Sequence, residues 1–132
     1  MKNFVLTAAV ALGISVAAPA MAADPLEGFW RTTADDNGNS GLIQVGTCGS
    51  YLCGVLIKAF GPSGAEIASD NIGRQLIWDT VNKGNGVYRG KVYSPDRDAT
   101  YKSKLVLTNN NRLSVSGCRF GICREGGIWN KQ

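Results

Sequence analysis

The residues of this chain whose type and spacing best suit chemistry are four cysteines in two Cys-x4-Cys pairs, Cys48 with Cys53 and Cys118 with Cys123. An even count at matched spacing favours two local disulfides in an oxidising compartment, and each would stabilise the fold by about 2 kcal/mol. A four-thiolate zinc site is the alternative, since zinc sites also use this spacing. A thioredoxin-like redox pair needs two intervening residues, and neither pair has them.

Other reactive groups give weaker signals. Histidine is absent, which excludes Ser-His-Asp and Cys-His catalysis and metal sites built on histidine. Asp96 and Asp98 could form a general acid–base pair, but they lie in a polar turn where carboxylates cap backbone amides. Residues 35–39 imitate the start of a calcium loop, but Ser40 stands where an EF-hand needs glycine, so we predict a hairpin turn. We therefore expect no enzyme, no metal and no other cofactor.

The first 22 residues are typical of a secretory leader. Lys2 supplies the positive end, residues 4–18 form an apolar run, and residues 20–22 give a small-x-small cleavage site. The run is shorter than the roughly 20 apolar residues that span a membrane. We expect residues 23–132 to form a single domain that is periplasmic or secreted. Loss of Lys2 lowers the net charge from +4 to +3, too weak a basic balance to imply a nucleic-acid partner.

Beyond the leader, short runs of β-forming residues alternate with turns rich in Gly, Asn and Asp. We predict eight strands, at residues 28–33, 42–47, 53–60, 76–80, 87–94, 100–108, 112–118 and 123–129. The long connection 61–75 could hold a helical turn around residues 65–69. Strands joined mainly by hairpins in so small a domain predict an all-β, antiparallel up-and-down barrel of eight strands, stapled by disulfides.

Two resemblances agree with this fold. Gly28-Phe29-Trp30 is similar to the Gly-x-Trp that opens lipocalin-like barrels. Much of the chain resembles a family of small exported bacterial proteins known only as domain of unknown function twenty-one forty-seven. The matching pieces are residues 24–30, Cys48…Cys53-Gly54, 92–95, Thr100-Tyr101-x3-Leu105, 113–118 and Cys123-Arg124…Trp129. The resemblance implies a calycin-like barrel and export, and it implies no activity.

Strand register brings a further group of residues together. Alternation of apolar residues between the predicted turns gives one inward row, Gly90, Ser103, Gly117 and Arg124. Three small residues would leave a gap in the barrel wall, with the long Arg124 side chain pointing along it. The last strand should close against the first, near Trp30. A bulge at Gly126-Gly127 would shift the facing of the residues after it.

Arg124 therefore has two interpretations. It could lie across the Trp30 ring as a cation–π lid that seals the barrel. Alternatively, the gap is a pocket in which Arg124 holds a carboxylate or phosphate. The predicted ligand-binding residues are Arg124, Trp30, Tyr88, Tyr101 and Ser103.

The alternate residues of the same strands face outward, and several of them are positively charged. The register sets Lys91 opposite Lys102 and Arg89 opposite Lys104, and like charges directly opposed destabilise a sheet. This face either keeps the barrel soluble or serves as a landing surface for an anionic envelope component, such as lipid head groups or an acidic protein.

We expect a monomer that binds a small amphipathic or anionic molecule as a periplasmic carrier or sensor. The alternative is an envelope interaction protein, an inhibitor or a stress-related component, that works through its outer basic face.

Overall fold

The computed structural model describes Gly13 and residues 22–132. The predicted leader at residues 1–22 therefore lies outside the described residues, except for Gly13 and Ala22. In the described part of the chain, no helix has the length and apolar character needed to cross a membrane.

Residues 22–132 form a closed antiparallel barrel. Its strands are β1 Gly28–Thr32, β2 Ser40–Cys48, β3 Tyr51–Phe60, β4 Glu66–Ile67, β5 Gln75–Gly84, β6 Val87–Ser94, β7 Ala99–Asn109, β8 Arg112–Arg119 and β9 Ile122–Lys131. The sheet order is β2-β1-β9-β8-β7-β6-β5-β3-β4, and pairing of β2 with β3 closes the ring. Eight strands form the wall, because β4 pairs with only two residues of β3. The predicted all-β, eight-stranded up-and-down barrel is confirmed.

The predicted helical turn at residues 65–69 is wrong, because this segment contributes β4 instead. β3 and β5 pair from Leu52 opposite Thr80 to Val55 opposite Gln75 and then part. The end of β3 pairs instead with β4, Ala59 opposite Ile67. Backbone groups need hydrogen-bond partners, and a two-residue strand supplies them where the barrel wall splits.

Two disulfides join the cysteines as predicted, Cys48 with Cys53 and Cys118 with Cys123. Cys118 and Cys123 are direct cross-strand partners, whereas Cys48 lies opposite Tyr51 and reaches Cys53 diagonally. Among the described residues no cysteine is free, so the zinc alternative has no thiolate to use. Disulfides of this kind indicate an oxidising compartment.

The register of β6 to β9 follows the predicted row, with Gly90 opposite Ser103, Ser103 opposite Gly117 and Gly117 opposite Arg124. A bulge then intervenes at Gly126 in β9. It places Trp129 opposite Leu113 and buries the Trp129 ring in the core. The Gly126-Gly127 pair permits this bulge because small residues tolerate the local bend.

The segment before β1 closes one end of the barrel, which we call the closed end. Leu26 and Trp30 are fully buried, and the Trp30 indole N–H donates to the Leu26 carbonyl at 2.8 Å. The Lys131 Nζ atom donates to the Pro25 carbonyl and lies 5.5 Å from the Trp30 ring centroid. The cation beside Trp30 is therefore Lys131. The expectation that Arg124 lies near Trp30 is wrong, because Arg124 lies about 20 Å away along β9.

Candidate functional site: an open cup and an outer basic groove

The other end of the barrel opens into a cup of about 1170 Å³. Its mouth is formed by the loops after β1, β4 and β6 and by the β8–β9 turn. Its floor consists of buried apolar side chains, Leu56, Leu76, Val92, Val115 and Trp129. The volume is comparable with the upper end of small-molecule sites, about 1000 Å³. An apolar floor below a polar mouth suits a molecule that has both kinds of surface.

One wall of the cup, from β8 and β9, carries two cations, Arg119 and Arg124, and one carboxylate, Glu125, which accepts the Ser114 hydroxyl at 2.9 Å. Arg119 stacks on the Tyr101 ring, with 4.5 Å between the guanidinium carbon and the ring centroid. The Tyr101 ring fills the space beside Gly117, where a Cβ atom would lie 3.1 Å from it. Arg124 lies opposite Gly117 and lines the cup. Arg124 is exposed to solvent at the cup. Within residues 22–132 neither a hydrogen bond nor an aromatic ring engages its guanidinium, so its donors are available to a ligand.

Another part of the mouth is acidic. Asp35 and Asp36 from the β1–β2 loop and Asp96 from the β6–β7 loop all line it, beside a single cation, Arg97. Burial, followed by the proximity of Asp35 and Asp36, raises the pKa of Asp96 above its ordinary value. The carboxylates at this part of the mouth would therefore repel an anionic ligand. The described residues contain no group of three or more His, Cys, Asp or Glu side chains placed to hold a metal ion.

The loop residues considered for acid–base or calcium chemistry have structural partners. The Asp35 carboxylate accepts the backbone N–H groups of Asn37 and Asn39, both at 2.9 Å, as in a hairpin turn. The Asp98 carboxylate accepts the Tyr93 hydroxyl at 2.6 Å. Asp96 lies beside Asp35 rather than working with Asp98.

Tyr93 is a cup residue that sequence reasoning missed. Strict alternation places it outward, because its neighbour Val92 faces the core. The loop between β4 and β5 instead carries Arg74 over the ring, with 3.5 Å from guanidinium carbon to centroid, and Tyr93 becomes buried. The hydrogen bond to Asp98, together with burial, raises the pKa of Tyr93. No local sequence pattern predicts the contact between Arg74 and Tyr93, because Arg74 belongs to an irregular segment.

The structure divides the predicted ligand-binding residues. Arg124 and Tyr101 line the cup. Trp30 and Tyr88 belong to the closed end, where the Tyr88 hydroxyl donates to the Asp24 carboxylate at 2.5 Å. Ser103 is buried in the wall, and its hydroxyl has no hydrogen-bond partner among the described residues. Trp30, Tyr88 and Ser103 therefore do not share a pocket with Arg124.

The gap predicted from the row of small residues is also absent from the described barrel. A Cβ atom at Gly90 would lie 2.6 Å from the Trp78 carbonyl oxygen, because β5 bulges into that space. The Tyr101 ring occupies the corresponding space at Gly117. These small residues accommodate neighbouring groups rather than leave a cavity, and the cup lies nearer the mouth.

The outer face carries the predicted cations, with Lys91 opposite Lys102 and Arg89 opposite Lys104. Arg89 and Lys102 are exposed, and the other two are half-buried. A groove of about 720 Å³, the outer basic groove, is lined by Arg89, Lys91, Lys102 and Arg119 together with the Cys118–Cys123 disulfide. The Arg89 guanidinium lies 3.9 Å from each sulfur. Glu125 is aligned with Lys104 across Ser116, outside this groove.

Comparison with known proteins agrees with the fold. Residues 28–131 match a bacterial family described as "Uncharacterized protein conserved in bacteria (DUF2147)". Among curated proteins, none matches this chain. Among solved structures, the chain is similar to protein HP1028 from the human pathogen Helicobacter pylori, described as belonging to the lipocalin family. The TM-score is 0.62 at 15% identity, over 81% of this chain and 82% of that chain. At this identity the likeness shows a lipocalin-like fold alone.

Proposed function

This chain belongs to the bacterial DUF2147 family, and we propose that it binds a small amphipathic anion in the cup at the open end of its barrel. One observation carries the proposal: the same cup joins a buried apolar floor to an arginine, Arg124, that has no partner among the described residues. The lipocalin-like fold is compatible with small-molecule binding.

The chemistry of the cup defines the ligand class. The planar guanidinium of Arg124 can donate two parallel hydrogen bonds to a carboxylate, sulfonate or phosphate. An apolar group on the floor would be removed from water against Val92, Val115 and Trp129, which favours binding in proportion to the area covered. The carboxylates at the acidic part of the mouth would repel the anionic group and so direct it toward the β8–β9 wall.

We propose further that this binding serves carriage or sensing in the periplasm. Two disulfides, a bacterial family and the predicted leader at residues 1–22 support that location. A cup that shields an apolar group while holding its charged end suits transport or detection of an amphiphile. The absence of histidine from the sequence favours binding over acyl-transfer chemistry.

A fluorescent amphipathic anion, anilinonaphthalene sulfonate, tests the proposal. We expect saturable fluorescence enhancement with the wild-type protein and about tenfold weaker binding for Arg124→Gln, because a charge-assisted hydrogen bond is lost. Arg112→Gln is the matched control, since Arg112 is exposed at the start of β8, near the closed end. Phenylnaphthylamine, which lacks the sulfonate, should bind wild type and Arg124→Gln equally. Equal sulfonate affinity for wild type and Arg124→Gln would contradict the proposal.

A further inference from the structure

The turn between β8 and β9 carries an aromatic residue where hairpin chemistry favours asparagine. Phe120 and Gly121 have φ values of 51° and 78°, as in the two-residue turn for which Asn-Gly is preferred. The β5–β6 turn follows that preference, with Asn85 at 57° and Gly86 at 77°. A bulky residue with positive φ is strained. Phe120 is therefore unfavourable for the turn that holds it.

Packing does not compensate for this strain, because the Phe120 side chain is 100% exposed. The next residue but one, Ile122, is 65% exposed. The Cys118–Cys123 disulfide lies directly behind the turn and ties its two strands together. Residues 119–122, which we call the β8–β9 tip, thus hold two large apolar side chains in water on a braced hairpin. Strain of this kind concentrates at functional positions.

Positive charge is concentrated on one side of the β8–β9 tip. Phe120 itself lines the outer basic groove, together with Arg89, Lys91, Lys102 and Arg119. On the other side of the tip, Arg119 and Ile122 line the mouth of the cup. The tip therefore separates the groove from the cup.

We propose that the β8–β9 tip docks on an anionic phospholipid bilayer, with Phe120 among the head groups and the cations of the outer basic groove on their phosphates. Aromatic side chains favour the bilayer interface. Each nearby lysine or arginine adds attraction to anionic lipid. A protruding ring with cations along one side matches a surface that is anionic outside and apolar just beneath.

Docking in this orientation has a consequence for the cup. Because Arg119 and Ile122 belong to both the tip and the mouth, the mouth would open toward the bilayer. An amphiphile could then pass between bilayer and cup with little exposure of its apolar part to water. This consequence rests on the proposed function of the cup, whereas the docking itself does not.

Vesicle co-sedimentation tests the docking without a cup ligand. The purified protein should bind vesicles of phosphatidylglycerol mixed with phosphatidylcholine and should not bind phosphatidylcholine alone. We expect Phe120→Asn to weaken binding about tenfold, because an inserted ring is lost. The double variant Lys91→Gln/Lys102→Gln should also weaken it at least tenfold. Higher salt should weaken wild-type binding more than that of the double variant.

Phe120→Asn separates docking from folding, because asparagine suits a positive φ and the melting temperature should not fall. Tyr51→Thr and Lys58→Gln/Lys83→Gln are matched controls, since they remove an exposed aromatic ring and two exposed lysines elsewhere. These controls should bind vesicles like wild type. Equal binding to both vesicle types, or no binding at all, would overturn the proposal. Loss of binding in the lysine variant with no change in Phe120→Asn would overturn it too, in favour of purely electrostatic adsorption without an inserted ring.

Discussion

The closed end and the open end of this barrel differ in how completely their polar groups are paired. At the closed end the Asp24 carboxylate accepts hydrogen bonds from Tyr88, from Asn82 and from the Leu26 backbone N–H. At the open end Asp96 has acidic neighbours, and Arg124 has no protein partner among the described residues. The closed end pairs its charged groups within the protein, whereas the open end leaves some of them, Arg124 above all, available to a ligand in the cup.

Asp24 at the closed end and Asp96 at the open end have pKa shifts in opposite directions. Burial alone would raise the pKa of Asp24, but its hydrogen bonds and the charge of Lys131 outweigh burial and lower that pKa. Burial and the nearby Asp35 and Asp36 raise the pKa of Asp96. The closed end thus favours the ionised carboxylate, and the open end disfavours it. Perturbed, uncompensated charge is characteristic of ligand sites, whereas compensated charge stabilises a fold.

The largest expected effect is that of Trp30→Ala at the closed end. It removes a fully buried ring and its hydrogen bond to Leu26, and should lower the free energy of unfolding by about 3–5 kcal/mol. Arg124→Ala at the open end should change it by less than about 0.5 kcal/mol. Chemical denaturation of both variants measures the contrast. Similar losses of unfolding free energy in the two variants would contradict the proposed difference between the closed and open ends.

Asp24→Asn should have the next largest effect. Loss of the charge-assisted hydrogen bond from Tyr88 should reduce the free energy of unfolding by about 2 kcal/mol at neutral pH. Because the folded-state pKa of Asp24 is lowered, its contribution is present above about pH 4 and is lost as pH falls through the folded value. Denaturation of wild type and variant across this range should show their difference shrinking in acid. A constant difference would contradict the assignment.

Ser103→Ala should stabilise the protein. The Ser103 hydroxyl is buried without a hydrogen-bond partner among the described residues, and an unpaired buried hydroxyl costs about 1 kcal/mol or more. Alanine fills nearly the same volume, so the free energy of unfolding should rise by about 1 kcal/mol. Thermal unfolding monitored by circular dichroism checks this. A lower melting temperature would show that the hydroxyl does have a partner.

The smallest expected effect is that of Asp96→Asn at the open end. Because the folded-state pKa of Asp96 is raised, its ionised form works against folding at neutral pH, and stability falls as pH rises through that value. The variant should melt slightly above wild type at neutral pH, and the gap should close in acid. Melting curves at several pH values measure it. A variant that melts below wild type at neutral pH would contradict the electrostatic account of the mouth.

Residues that interact through adjacent hairpins could be predicted from the sequence. Alternating apolar residues and short turns predicted the register of β6, β7, β8 and the start of β9, as far as Gly117 opposite Arg124. Disulfide pairing followed from matched spacing, since each pair spans one hairpin. In these cases the partners are close in sequence, so local chemistry decides the outcome.

Contacts between distant segments could not be predicted. The bulge of β5 over Gly90 depends on how two strands twist against each other. The partner of Trp30 is Lys131, at the far end of the chain, because β9 runs on past its own bulge to meet β1. The alternation of apolar and polar residues within one strand predicts neither the β5 bulge nor the contact between Trp30 and Lys131. The cup consequently lies nearer the mouth than the small-residue row suggested.

Native mass spectrometry of the protein purified from its producing bacterium tests the central claim most directly, because a ligand retained in the cup appears as added mass. Wild type should carry an extra mass that denaturation releases. Arg124→Gln should fold normally and carry little of that mass, whereas Arg112→Gln should retain it. A wild-type protein of bare polypeptide mass, or equal occupancy in wild type and Arg124→Gln, would contradict a ligand site built on Arg124.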